Sequence, residues 1–120
     1  TMNTLILSEF IDGYVGEALA KVHDEDGNRV SYPLGAHQIE NDALEVMRND
    51  CERFFSAHEN ILNADVARFN GVSFYKARNK RGQGFITYDY NNFRTLYDSA
   101  RTYGNSKLIL ARNGKLRLSP

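Results

Sequence analysis

The sequence predicts an α+β domain in which two N-terminal helices precede a ββαββ unit, its hairpins joining in one antiparallel sheet packed against helices. Three observations predict it. Apolar residues recur at helical spacing in two stretches, from about Thr4 to His23 and from Gln38 or Asn41 to His58, branched and aromatic runs flank a Gly-bearing cationic segment between Gly71 and Asp89, and an Asn-Gly pair separates two apolar runs near the end. At 120 residues, with 42% hydrophobic and 25% charged positions, the chain reads as a single domain over 1–120, able to bury a core without disulfides.

The first helix is expected from about Thr4 to His23, where Leu7, Phe10, Ile11, Tyr14, Val15, Ala18, Leu19 and Val22 follow the i, i+3, i+4, i+7 repeat of one face. Gly13 and Gly16 are internal costs in such a helix of up to about 1 kcal/mol each relative to alanine, or places where another element approaches closely. Asp26-Gly27-Asn28 reads as a turn. A calcium loop counted from Asp24 fails, because it wants Gly at position 6 and Glu at position 12, where Arg29 and Gly35 stand. A second helix follows from Gln38 or Asn41 to His58, with Asn41 as N-cap and Asp42 at the positive end of the helix dipole. Glu59 to Asn70 reads as a short amphipathic turn.

Val72 to Ala77 and Phe85 to Tyr88 are rich in residues that suit a pleated surface, and the polar link between them carries Arg78, Lys80 and Arg81 and closes with Gly82 and Gly84. That pattern predicts a hairpin with a cationic tip. Tyr90 to Tyr103 has helical spacing and ends at Gly104, where a left-handed cap residue is wanted. Lys107 to Ala111 and Lys115 to Ser119 flank Arg112-Asn113-Gly114, the strongest short-range hairpin signal in the chain.

Charge is sorted along the chain. Up to Asp65 there are 13 acidic residues against 4 Lys and Arg; from Val66 onward there are 2 against 11, so the net charge of zero conceals two opposed halves. The halves either neutralise each other, within one fold or across a homo-oligomer, or one of them meets a charged partner. On the basic side, Phe74, Tyr75, Lys76, Arg78, Asn79, Lys80, Arg81, Gly82, Gly84 and Tyr88 hold what a DNA or RNA surface needs: cations that displace counterions from phosphates, rings that stack bases, and glycines that admit a backbone close to an anion. On the acidic side, Glu40, Asp42, Glu45, Asp50 and Glu52 space carboxylates along a helix and imitate phosphates before a basic protein groove. Tyr88, Tyr90, Tyr97 and Tyr103 read as core packing with wet hydroxyls.

No catalytic motif is found. His23, His37 and His58 lack paired metal spacing, no phosphate-cradling or dinucleotide fingerprint and no nucleophile elbow is present, and no cofactor or metal is expected. Cys51 and His58 would sit about 10.5 Å apart along one helix face, too far to bond, and Cys51 reads as a small buried hydrophobe. A single cysteine, no leader and no run of about 18 apolar residues predict a cytoplasmic chain with no membrane span.

The run from Phe74 to Phe85 resembles a motif of small phage-borne and plasmid-borne accessory proteins of unassigned function: Phe, an aromatic, two variable positions, Arg-Asn, two variable positions, Gly, one variable position, Gly-Phe. Tyr75 stands where that pattern usually has Trp. The resemblance extends to Phe10-Ile11, to the Asp26-Gly27 turn, to Ala100, Tyr103 and Gly104, and to Gly114-Lys115-Leu116. It implies a mobile-element origin and a bacterial host cytoplasm as workplace. By analogy with what such elements need, it implies a host protein or nucleoprotein complex as partner, inhibition of a restriction-type or CRISPR-type defence as role, and nucleic-acid binding as the alternative.

Overall fold

A computed structural model describes residues 4–119. Four helices and three short strands appear in the order α1 (Thr4–Ala20), β1 (His23–Asp24), α2 (Asn41–His58), α3 (Ala67–Arg78), α4 (Tyr90–Arg101), β2 (Leu108–Leu110) and β3 (Leu116–Leu118), with 3-10 turns at Ala36–Gln38 and Ala64–Val66.

The expected ββαββ unit is not formed. Val72 to Arg78 belongs to α3, and Phe85 to Tyr88 is a turn closed by the Tyr88 N–H donating to the Phe85 carbonyl at 3.1 Å. The sheet is mixed rather than antiparallel. β2 pairs antiparallel with β3, Ile109 opposite Arg117, as the Asn-Gly signal predicts, but β2's other neighbour is β1, which runs parallel to it with His23 opposite Ile109.

Packing overrules strand propensity in α3. Read as a helix, Ala67, Gly71, Phe74 and Arg78 share the buried side, and α3 lies directly across α1. The crossing is made by two glycines. A Cβ on Gly13 would stand 1.9 Å from the Arg68 carbonyl oxygen, and one on Gly71 would stand 1.9 Å from that of Phe10, so backbone meets backbone on both sides. Gly16 has nothing within 4 Å and plays no part.

α1 starts as expected but stops at Ala20, because Val22 leaves the helix to accept the Val30 N–H and lead into β1. α2 keeps its expected limits, with Glu40 rather than Asn41 at the cap position and Asp42 in the first turn. The Asp24 carboxylate accepts the N–H groups of Asp26 and Asn28 at 2.9 Å each, which builds the expected turn. The core between α1, α2 and α3 is aromatic. Phe54 stacks on Phe74 with centroids 4.3 Å apart, and Phe10, Phe85 and Tyr103 pack around that pair. No described helix is long and apolar enough to cross a membrane.

Candidate functional site

The sequence-predicted binding residues divide into a buried set and an exposed set. Phe74, Tyr75, Arg78 and Asn79 are buried. Phe74 and Tyr75 pack on Tyr14, with ring centroids 5.3 and 5.5 Å away. Arg78, 3% exposed, is the polar centre of the molecule. Its Nε donates to the Gly104 carbonyl at 2.9 Å, Nη2 to the Tyr103 carbonyl at 3.0 Å, and Nη1 to the Asp50 carboxylate at 2.8 Å and the Tyr14 hydroxyl at 3.1 Å. Its plane also lies within cation–π range of Phe74 and Tyr103. Burial disfavours its charge, but Tyr14 and Asp50 more than offset this and hold the guanidinium protonated. The side chain expected at a cationic tip thus joins α1, α2, α3 and the segment after α4.

Asn79 performs a related task. Its amide donates to the Tyr75 carbonyl at 3.0 Å and its oxygen accepts the Ser106 N–H at 2.7 Å. Arg101 caps the same helix end by donating to the carbonyls of Ala77 and Arg78. The Arg-Asn pair of the motif therefore fastens the C-terminal third of the chain to α3.

Lys76, Lys80, Arg81 and Gly82 remain at least partly at the surface, and Lys76, Lys80 and Arg81 form no ion pair with a described residue. Their loop is tightly wound: Lys80, Gly82, Gly84 and Phe85 all have positive φ. Phe85 holds that costly conformation at φ 54° because its ring is wholly buried against Phe54. Tyr75 Oη and Arg81 Nε are buried without a hydrogen-bond partner among the described residues, and burial pushes the Tyr75 phenol up to about 12. Tyr88 is half-buried, its hydroxyl donating to Asn70 Oδ1 at 2.7 Å and accepting the Asn63 N–H at 3.0 Å.

The acidic half answers much of the basic half inside one chain. Asp12 pairs with Arg68, Asp50 with Arg78, Glu25 with Arg112 and Arg117, and Asp26 with Arg112. Asp50 is thereby withdrawn from the acidic surface expected for it. Asp42, Glu45 and Glu52 are exposed on the outer side of α2, with Glu40 half-buried at its start, and none of the four has a basic partner among the described residues.

Cys51 is wholly buried and its thiol is pushed well up by burial, with the Asp50 carboxylate adding to the rise, which suppresses the thiolate a nucleophile needs. His58 Nε2 lies 2.8 Å from Ser99 Oγ and joins α2 to α4, but none of the pockets described is lined by either residue. No cluster of three or more His, Cys, Asp or Glu is placed to hold a metal among the described residues.

Burial lowers the His58 pKa below its ordinary 6.5. The unfolded chain then binds the proton more readily than the folded one, so stability rises with pH between the folded and unfolded values and declines as pH falls below about 6.5. Urea midpoints taken from pH 7.5 to 5.5 should fall, and His58→Gln, which keeps a hydrogen-bonding group near Ser99, should flatten that fall. A variant with the full slope would place the titration elsewhere.

No family model, curated protein or solved structure matches the chain.

Proposed function

We propose that this chain is a non-enzymatic binding protein whose target is a basic surface of a host nucleic-acid-handling protein or nucleoprotein complex, met by the exposed carboxylates of α2. The observation that carries this reading is where the charges go. Four arginines of the basic half are occupied by acids of the first half, whereas Asp42, Glu45 and Glu52 stay in water. The three span ten residues of helix, about 15 Å at 1.5 Å per residue, and their i, i+3, i+10 spacing keeps them on one side. A row of fixed negative charges on a rigid helix offers a nucleic-acid groove part of what a phosphate backbone offers, with the ordering cost already met by the fold. The resemblance to mobile-element accessory proteins makes a restriction-type or CRISPR-type defence in a bacterial cytoplasm the natural setting.

The test is capture from nuclease-treated host lysate by the tagged chain and by the triple variant Asp42→Asn, Glu45→Gln, Glu52→Gln. The variant removes only exposed charge and should keep its circular dichroism spectrum. A partner held at low salt by the natural chain and released by the variant supports the reading. Retention unchanged by the variant would overturn the role of α2.

The second reading is DNA or RNA binding through Lys76, Lys80, Arg81 and Gly82, favoured by the absence of carboxylate partners for those cations among the described residues. Binding of labelled single- and double-stranded DNA and RNA that weakens from about 50 to 200 mM salt would promote it. Arg78 is no part of that surface, and Lys80→Glu with Arg81→Glu is the variant that tests it.

A further inference from the structure

Where α2 ends, the fold leaves a space that its own side chains do not fill. The N–H groups of Ile61 and Leu62 both donate to the His58 carbonyl at 3.0 Å, which folds the chain back over the last turn of the helix. Asn63 is then fixed from the far side: its carbonyl accepts Asn70 Nδ2 at 3.0 Å, and its N–H donates to the Tyr88 hydroxyl at 3.0 Å. Ala64 follows, and its methyl group is too short to reach across to α1. A cavity of about 200 Å³ remains between this loop, Ile6 of α1, the end of α2 and Asn70 of α3.

Its walls and its rim differ in chemistry. Ile6, Phe55 and Leu62 present hydrocarbon, and the cavity reaches down to the core, where Phe55 is 4% and Asn70 2% exposed. The volume suits one ring or a short chain, since an apolar protein cavity of about 150 Å³ accepts benzene. The rim is anionic. Glu59 is exposed, lines the cavity and has no basic partner among the described residues. It stands at the C-terminal cap of α2, at the negative pole of the helix dipole, where a carboxylate is repelled and a cation is favoured. No Lys or Arg lines the cavity, and the ring of the adjacent His58 is engaged by Ser99. Glu59 is therefore poorly placed for helix stability and well placed to receive a positive charge.

We propose that this cavity binds a primary ammonium group carried on a short apolar stem, with the stem among Ile6, Phe55 and Leu62 and the ammonium at Glu59. The same chemistry belongs to a small aryl- or alkylamine and to a lysine side chain, whose hydrocarbon stem buries while its charge stays at a wet rim. Glu59 and the helix end both repel an anion, and an uncharged ligand leaves their mutual repulsion in place. The site is preformed, because Asn63, Asn70 and Tyr88 hold one another in place and leave little to order on binding.

Titration of the full chain with 2-phenylethylammonium to about 10 mM, followed by NMR of methyl and side-chain amide groups, tests it. Signals of Ile6, Leu62 and the Asn70 amide should move with a dissociation constant of about 1 mM, the strength expected of so small a ligand. The alcohol 2-phenylethanol has the same shape without the charge and should bind about three- to tenfold more weakly. That preference should vanish in Glu59→Gln and shrink at high salt. Ala64→Leu, made at an exposed position, fills the cavity and should abolish the shifts while leaving the rest of the spectrum in place. Nα-acetyl-lysine methylamide separates the two sources: movement of the same signals assigns the cavity to a side chain of a partner protein, and its absence assigns it to a free amine. The proposal is overturned if Ile6 and Leu62 do not respond to the amine, if amine and alcohol bind equally, or if Ala64→Leu binds as the natural chain does.

Discussion

Arg78→Ala will cost about 3–5 kcal/mol of folding stability, because it leaves the Asp50 carboxylate without its cation in a largely dehydrated site. Tyr14 and the carbonyls of Tyr103 and Gly104 lose their donor in the same step. For a domain of this size the midpoint of thermal unfolding should drop by at least about 10 °C. Arg78→Lys should recover only part of the loss. An ammonium group carries three donors at one point, whereas here a planar fork reaches four acceptors on three sides. The informative comparison is Arg78→Met with Asp50→Leu, in which the ion pair is replaced by apolar volume and no charge is stranded; it should be markedly more stable than Arg78→Met alone. If the single and double variants unfold together, the pair is not the source of the effect.

Gly71→Ala should destabilise by about 1–2 kcal/mol, an overpacking cost reduced by the gain of up to about 1 kcal/mol in helix propensity. The added methyl would overlap the Phe10 carbonyl, and neither backbone can yield without separating α1 from α3. Gly13→Ala should behave alike through the Arg68 carbonyl, whereas Gly16→Ala, in open space on the same helix, should be neutral or stabilising. Guanidinium midpoints of the three variants decide the matter: equal responses at positions 13 and 16 would show that propensity, not the crossing, governs these sites.

The contrast between these glycines marks how far the sequence can be read. Gly13 and Gly16 stand three residues apart in one apolar repeat, and nothing local tells which of them faces α3. α1, α2, α4 and the Arg112-Asn113-Gly114 hairpin were legible because each is specified by its own period and caps. α3 was not, since Val72, Phe74 and Tyr75 suit a strand as well as a helix and the deciding contact is with α1. The short β1 was equally hidden, as two residues carry no period. At the candidate site, four basic or aromatic residues in a row of five looked like one surface; a helix instead turned Phe74, Tyr75 and Arg78 inward and left Lys76 half out. The partner of Arg78 lies 28 residues upstream, at a separation for which no spacing rule exists. What could have been noticed is that the acidic stripe of α2 loses its regular exposure at Asp50, which falls beside the apolar positions Met47, Cys51 and Phe54.

The close crossing of α1 and α3 also bears on how the chain is made. Synthesis runs from the N-terminus, so α1 and α2 leave the ribosome well before the glycine-notched face of α3 exists. Through that interval Phe10, Tyr14 and Phe54 have no complete core to enter, and the nascent chain displays an aromatic stripe beside a strongly acidic surface. With 13 acidic residues against 4 Lys and Arg up to Asp65, such unfinished chains carry charge of one sign, which opposes their association until the basic half is added.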